Sequence, residues 1–184
     1  MATKIFGLDI SSPYIKIKGN TMTQNERDAK LLDFARLWLA HDGLWFLAVE
    51  QKYGLEAAIE LDRIAWAGFA PIEAKRIMER LNLKPGGGIS VLIKALSERM
   101  YALLNEQETT EVDDKRAIFA MKRCRVQETR RRKGLPPFPC KEVGKVEFTE
   151  FAKAIDPQIK TRCLSCPPDD YNGEFWCKWE FMIE

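Results

Sequence analysis

The chain has 184 residues, 46% of them hydrophobic, and carries 29 basic against 27 acidic side chains, enough for one domain with a sizeable core at a formal charge of only +2. So small a net charge excludes a global bias towards nucleic acid or anionic membrane and leaves local clusters to be weighed singly. No apolar run approaches the roughly 18 residues of a membrane span, and Met1 to Ile10 lacks a signal-peptide pattern, so the expected location is cytoplasmic, with no membrane partner.

In chain order, residues 25–52 place Leu32, Ala35, Leu39, Phe46 and Val49 near helical spacing, which predicts one long or kinked amphipathic helix stopped by Gly54. Residues 55–66 and 71–81 predict two further helices, the later one opened by Pro71 at a first-turn position. The triple glycine Gly86 to Gly88 reads as a hinge or loop. It lacks the lysine and spacing of a phosphate loop. Residues 89–104 resume a helical face with Val91, Leu92, Ala95, Leu96, Met100 and Leu103, and a polar stretch, 105–114, follows. Four helical segments are thus expected before any strand.

Alternation over 116–126 predicts a strand, 130–139 a loop, and 140–155 a helix with Gly144, Phe148, Phe151, Ala152 and Ile155 as its stripe, ended by Asp156-Pro157. A strand pair, 158–163 and 174–184, closes the chain, with Phe175, Cys177, Trp179, Phe181 and Ile183 sharing one face.

That closing hairpin and the helix before it hold four of the five cysteines: Cys140, Cys163, Cys166 and Cys177, with Cys124 as the spare. An odd count in a reducing compartment argues for metal over a disulfide framework. The Cys163-x2-Cys166 knuckle, a return strand bearing Cys177 and a helix start bearing Cys140 can converge on one ion. Four thiolates suit tetrahedral zinc and leave no open position for substrate, so the expected site is structural. Lys141, Arg162 and Lys178 adjoin the ligands and would offset their charge. The same residues also fit an iron-sulfur cluster or plain buried thiols.

Residues 116–184 resemble the 4-vinyl reductase domain found in the sensor halves of phenol-responsive regulators. The marks are the strand ending near Cys124, Pro137-Phe138-Pro139-Cys140 leading into a helix with Gly144, then Cys163, Cys166 and Phe175-Trp176-Cys177-Lys178-Trp179. The resemblance implies zinc on Cys140, Cys163, Cys166 and Cys177, with Cys163 standing where those sensors usually place a glutamate. The whole chain also resembles a group of cytosolic proteins from anaerobic bacteria and archaea related to L-2-amino-thiazoline-4-carboxylic acid hydrolase. Here the marks are His41-Asp42-Gly43-Leu44-Trp45-Phe46, Tyr53-Gly54-Leu55-Glu56-Ala57-Ala58 and the cysteine-rich end. That likeness implies ring opening at a C=N bond, which needs an activated water and an acid for the nitrogen.

For a ligand pocket, the candidates are Trp38, Trp45, Trp66 and Phe119 as walls and His41, the only histidine, as an orienting group beside Asp42 and Glu50. The same aromatics would serve equally as simple core. Glu50, Glu56, Glu60 and Asp62 are available carboxylates, though Glu56 and Glu60 also fit a solvated helix face. No nucleophile-elbow or Walker sequence is present. The basic stretch Lys122, Arg123, Arg125 and Arg130 to Lys133 can meet an anionic or acidic partner, but no nucleic-acid-binding module accompanies it.

The expected protein is therefore α+β, a single domain over 1–184. A mainly helical part, 1–105, packs on a small antiparallel sheet in a 4-vinyl reductase-like part, 106–184, closed by a four-cysteine zinc site. The expected function is enclosure of a small apolar or aromatic molecule. The alternatives are a hydrolase of a small cyclic amidine and a structural subunit of an assembly. A homodimer through the N-terminal helices is also expected, because the related sensor domains pair.

Overall fold

A computed structural model describes residues 4–5, 8–9 and 22–184. Most of Met1 to Ile10, the stretch read for a signal peptide, lies outside the described residues. Contacts divide the chain into two compact units, 1–31 and 32–184. In the first, β1 (Lys4–Ile5) pairs antiparallel with β2 (Leu8–Asp9). Here too α1 (Gln24–Tyr53) starts, and a reciprocal cap fixes the start. Glu26 N donates to Thr23 Oγ1 at 3.3 Å, and Thr23 N donates to Glu26 Oε2 at 2.8 Å.

In the second unit α1 runs unbroken through His41-Asp42-Gly43 and ends where Gly54, at φ 89°, takes a conformation other residues resist. The two helices expected over 55–66 and 71–81 are one, α2 (Leu55–Leu81), with Pro71 inside it. Pro71 removes one backbone donor, but Ala70, Ala74, Ile77 and Met78 around it are buried, and packing of α2 along α5 (Lys141–Ile155) outweighs the local loss. Asn82 closes α2 in the left-handed region, φ 53°, and Leu83 N returns to Met78 O at 2.8 Å.

The helix expected over 89–104 breaks. α3 (Gly88–Ser97) stops, Arg99 goes extended, and a short 3-10 turn (Met100–Leu103) follows. The break turns the Arg99 guanidinium inward between Glu73 and Glu147, at 2.8 Å from each, and Met100 N binds the other Glu73 oxygen at 3.2 Å. The polar stretch after it forms β3 (Glu106–Asp113), an edge strand exposed along most of its length.

β4 (Arg116–Arg123), β5 (Lys160–Ser165) and β6 (Cys177–Met182) complete an antiparallel sheet in the order β3-β4-β6-β5. α5 lies on its inner face. Phe148 meets Phe119 at 5.2 Å and Trp179 at 4.9 Å between ring centres, and Phe119, Phe151, Trp179 and Phe181 are fully buried. On the outer face, buried Glu180 is held between Arg116 and Arg162 of the two flanking strands. The loop expected from residue 130 is in part helical, since α4 (Arg125–Arg132) occupies its beginning. The architecture is α+β, helices on one small antiparallel sheet. Among the described residues no helix is long and apolar enough to cross a membrane.

Candidate functional site: a cavity beside the cysteines

α4 looks polar in sequence because its inward groups are polar. Gln127, 1% exposed, donates Nε2–H to Phe138 O at 2.8 Å and accepts Phe138 N–H on Oε1 at 2.9 Å. Both halves of one amide are spent on one residue of the following loop, fixing the lead-in to α5. The same Nε2 lies 3.5 Å from Cys140 Sγ. Arg130 grips Glu50 of α1 at 3.0 and 3.3 Å and donates to Pro136 O at 2.8 Å. Neither Gln127 nor Arg130 could be singled out from a hydrophobic period, because neither is hydrophobic.

Cys140 caps α5, and its Sγ lies 3.5 Å from that of buried Cys166. Hydrogen bonding from Cys166 is the main influence lowering the Cys140 thiol below its ordinary range. The Cys166 thiol is pushed up, chiefly by its bonds to Cys140 and then Cys177. The knuckle after Cys166 is folded by Asp169, which accepts Cys166 N–H at 3.1 Å and Lys141 Nζ–H at 2.5 Å. Burial pushes up the thiol of Cys163, half-buried on β5 opposite Trp179, with the charge of Lys141 opposing and that of Cys177 adding. All five cysteines are free of disulfides. Among the described residues no three His, Cys, Asp or Glu side chains meet as a ready metal-ligand set. The donor chemistry still fits a soft ion. Tetrahedral sulfur ligands at about 2.3 Å from zinc stand about 3.8 Å apart, close to the Cys140–Cys166 separation.

Beside these sulfurs opens a cavity of about 210 Å³ between α1, α2, the 3-10 turn, α4, α5 and the sheet. Cys140, Cys166, Cys177 and Cys124 line it, with Phe46, Trp66, Met121, Phe138, Val143, Phe148 and Trp179 as apolar wall. Of the aromatics expected at a pocket, Trp66 is in this wall. Trp38 packs behind it, 6.5 Å from Trp66, stacked on Phe69 and edge-on to Tyr101. Phe119 belongs to the core under α5. His41 and Trp45 are exposed on α1, Trp45 to 66%.

Four polar groups of the cavity come from three helices and the turn. Asp42, Asp62, Glu147 and Tyr101 face it. Burial pushes Asp62 up to about 7, helped by the charges of Asp42 and Glu147 and opposed by a hydrogen bond from Trp66. Asp42 and Glu147 are raised by burial as well, opposed by His41 and by Arg99 respectively. Desolvation pushes the Cys124 thiol up to about 12, so it stays protonated. Glu147 and Tyr101 carry no local sequence mark. They become neighbours of Asp42 and Asp62 only because α2 and the turn pack against α5.

Three of the seven basic side chains of that stretch are answered within the chain: Lys122 pairs with Glu108, Arg123 with Glu128 and Arg130 with Glu50. No curated protein and no solved structure matches the chain. The pattern that builds this cavity and its cysteine border extends over nearly the whole sequence, and a single family description covers the same span: residues 20–183 match a family of unknown function, DUF6125, and the chain belongs to it.

Proposed function

We propose that this protein is a binding module which encloses a small apolar or aromatic molecule in the cavity beside its cysteines. The carrying observation is the cavity itself, about 210 Å³ with an apolar wall and a few polar groups. That composition is typical of ligand pockets, and a cavity of about 150 Å³ suffices for benzene. We further propose a structural zinc on Cys140, Cys163, Cys166 and Cys177, with an iron-sulfur cluster as the alternative occupant. Support comes from the Cys140–Cys166 separation and from Lys141 beside the knuckle. When bound, the ion would supply cross-linking of α5, β5 and β6, not chemistry. The 4-vinyl reductase likeness points the same way.

The test is metal content per chain of anaerobically purified protein, followed by thermal denaturation with p-cresol before and after chelation. One zinc per chain and a melt raised by p-cresol support the reading. Neither metal nor any shift would overturn it.

An enzymatic reading, hydrolysis of a small cyclic amidine, draws on Asp62, which burial pushes up to about 7, where a carboxyl can exchange a proton near neutrality. Product formation from an amino-thiazoline carboxylate decides it. The assembly reading draws on the exposed apolar side chains of the helix pair, Leu37, Leu44, Trp45, Leu61 and Ile64. Leu37 and Trp45 lie symmetrically about His41. Two antiparallel copies of α1 would therefore set one against the other, the self-complementary arrangement of a two-fold dimer.

A further inference from the structure

The cavity brings together more negative charge than its surroundings answer. Asp42, Asp62 and Glu147 reach it from α1, α2 and α5. Arg99 serves Glu147 but shares its single charge with Glu73. Among the described residues no Lys or Arg pairs with Asp42 or Asp62. Asp62 receives only the neutral Trp66 N–H, and Asp42 only the charge of exposed His41. Carboxylates left this way in an apolar wall are costly unless something cationic joins them.

A second observation is independent of the carboxylates. Trp179 also lines the cavity, is 1% exposed, and its Nε1–H has no hydrogen-bond partner among the described residues. Native proteins rarely leave such a donor unmet, so it marks a place where a bound molecule would meet it, with an acceptor atom or with the π face of an aromatic body.

We infer that the ligand of this cavity is a small organic cation: a compact apolar or aromatic body bearing one protonated amine or amidine, which Asp42, Asp62 and Glu147 receive. This rests on the binding-module reading and names the chemistry of its ligand. On the far side, Arg125, Arg130 and Lys133 also line the cavity. Arg130 is neutralised by Glu50, and Arg125 and Lys133 are exposed to screening solvent. An anionic ligand is therefore the competing outcome, and the test includes it.

Calorimetric titration of the full-length protein at pH 8 would use benzamidine, its neutral isostere benzamide, and benzoate. Benzamidine is expected to bind at least tenfold more tightly than benzamide and benzoate. Asp62→Asn should weaken benzamidine tenfold or more while leaving benzamide within twofold. Asp42→Asn provides a second variant should the first fail to fold. Equal or tighter binding of benzamide or benzoate overturns the cation, as does an unchanged benzamidine affinity in both variants. If benzamide and p-cresol bind while benzamidine does not, the cavity reading stands and the cation falls. If none binds, both fall.

Discussion

Gly144 of α5 lies so close to Trp179 of β6 that a Cβ added at the glycine would stand 2.6 Å from Cζ2 of the indole. The helix needs no backbone freedom at this position; it needs the absence of a side chain. Trp179 is thereby brought hard against α5 while it also lines the cavity. Gly144→Ala would gain up to about 1 kcal/mol of helix propensity and lose roughly 1–3 kcal/mol to overpacking against a fully buried ring. The expected net is a melting temperature lower by roughly 2–6 °C. A variant as stable as the parent would show that Trp179 shifts freely.

Asp62→Asn should stabilise the protein at pH 8 and not at pH 4. The folded state raises the Asp62 pKa from 3.8 to about 7. Folding therefore costs most when the group is ionised, above about 7, and that cost disappears as pH falls towards the unfolded value near 4. Asparagine keeps an oxygen for the Trp66 indole and removes the charge. The gain at pH 8 should be roughly 2–4 kcal/mol, read from denaturant melts at the two pH values; a gain independent of pH contradicts the assignment.

Cys166→Ser should release metal and lower the melting temperature by about 10 °C or more, since binding energy at a structural site is folding energy. Metal retained at one per chain with an unchanged melt would remove Cys166 from the ligand set.

His41→Ala is expected to leave stability within about 0.5 kcal/mol of the parent, because an exposed side chain outside the cavity wall makes no buried contact to lose. Probe binding should be equally unaffected. A lost calorimetric signal would place the histidine in the site after all.

Trp45→Glu, on the exposed face of α1, should convert a dimer to monomer by analytical ultracentrifugation without lowering the melt of the monomer. A parent chain that is monomeric at every concentration ends the two-fold proposal.

Periodicity located α1, α5, β4 and the closing hairpin because each turns regularly spaced apolar side chains inward. It separated α2 at Pro71, where burial of Ala70 and Ala74 on α5 overrides the proline. It passed over β3 and α4 for the same reason in two forms. β3 is an edge strand with little buried on either face, and α4 turns Gln127 and Arg130 inward, so in neither does the hydrophobic pattern mark the inner side. The cysteines were legible as a local motif. Asp42 and Asp62 were named among the candidates and Glu147 was not; that the three share one cavity was not legible, because they are separated by helices and meet only through packing. His41 drew notice by being the lone histidine, yet the side chain next to it, Asp42, is the one that faces the cavity.

Three of the four cysteines proposed as ligands are also wall of the cavity. Anything that draws Cys140, Cys166 and Cys177 towards a common centre reshapes the space a ligand occupies, and a ligand that fits one arrangement of those sulfurs favours that arrangement. The two events thus carry one shared coupling free energy, the same read from either side. A change in thiol chemistry would be felt as a change in affinity, and a filled cavity would in turn alter how readily the thiols react.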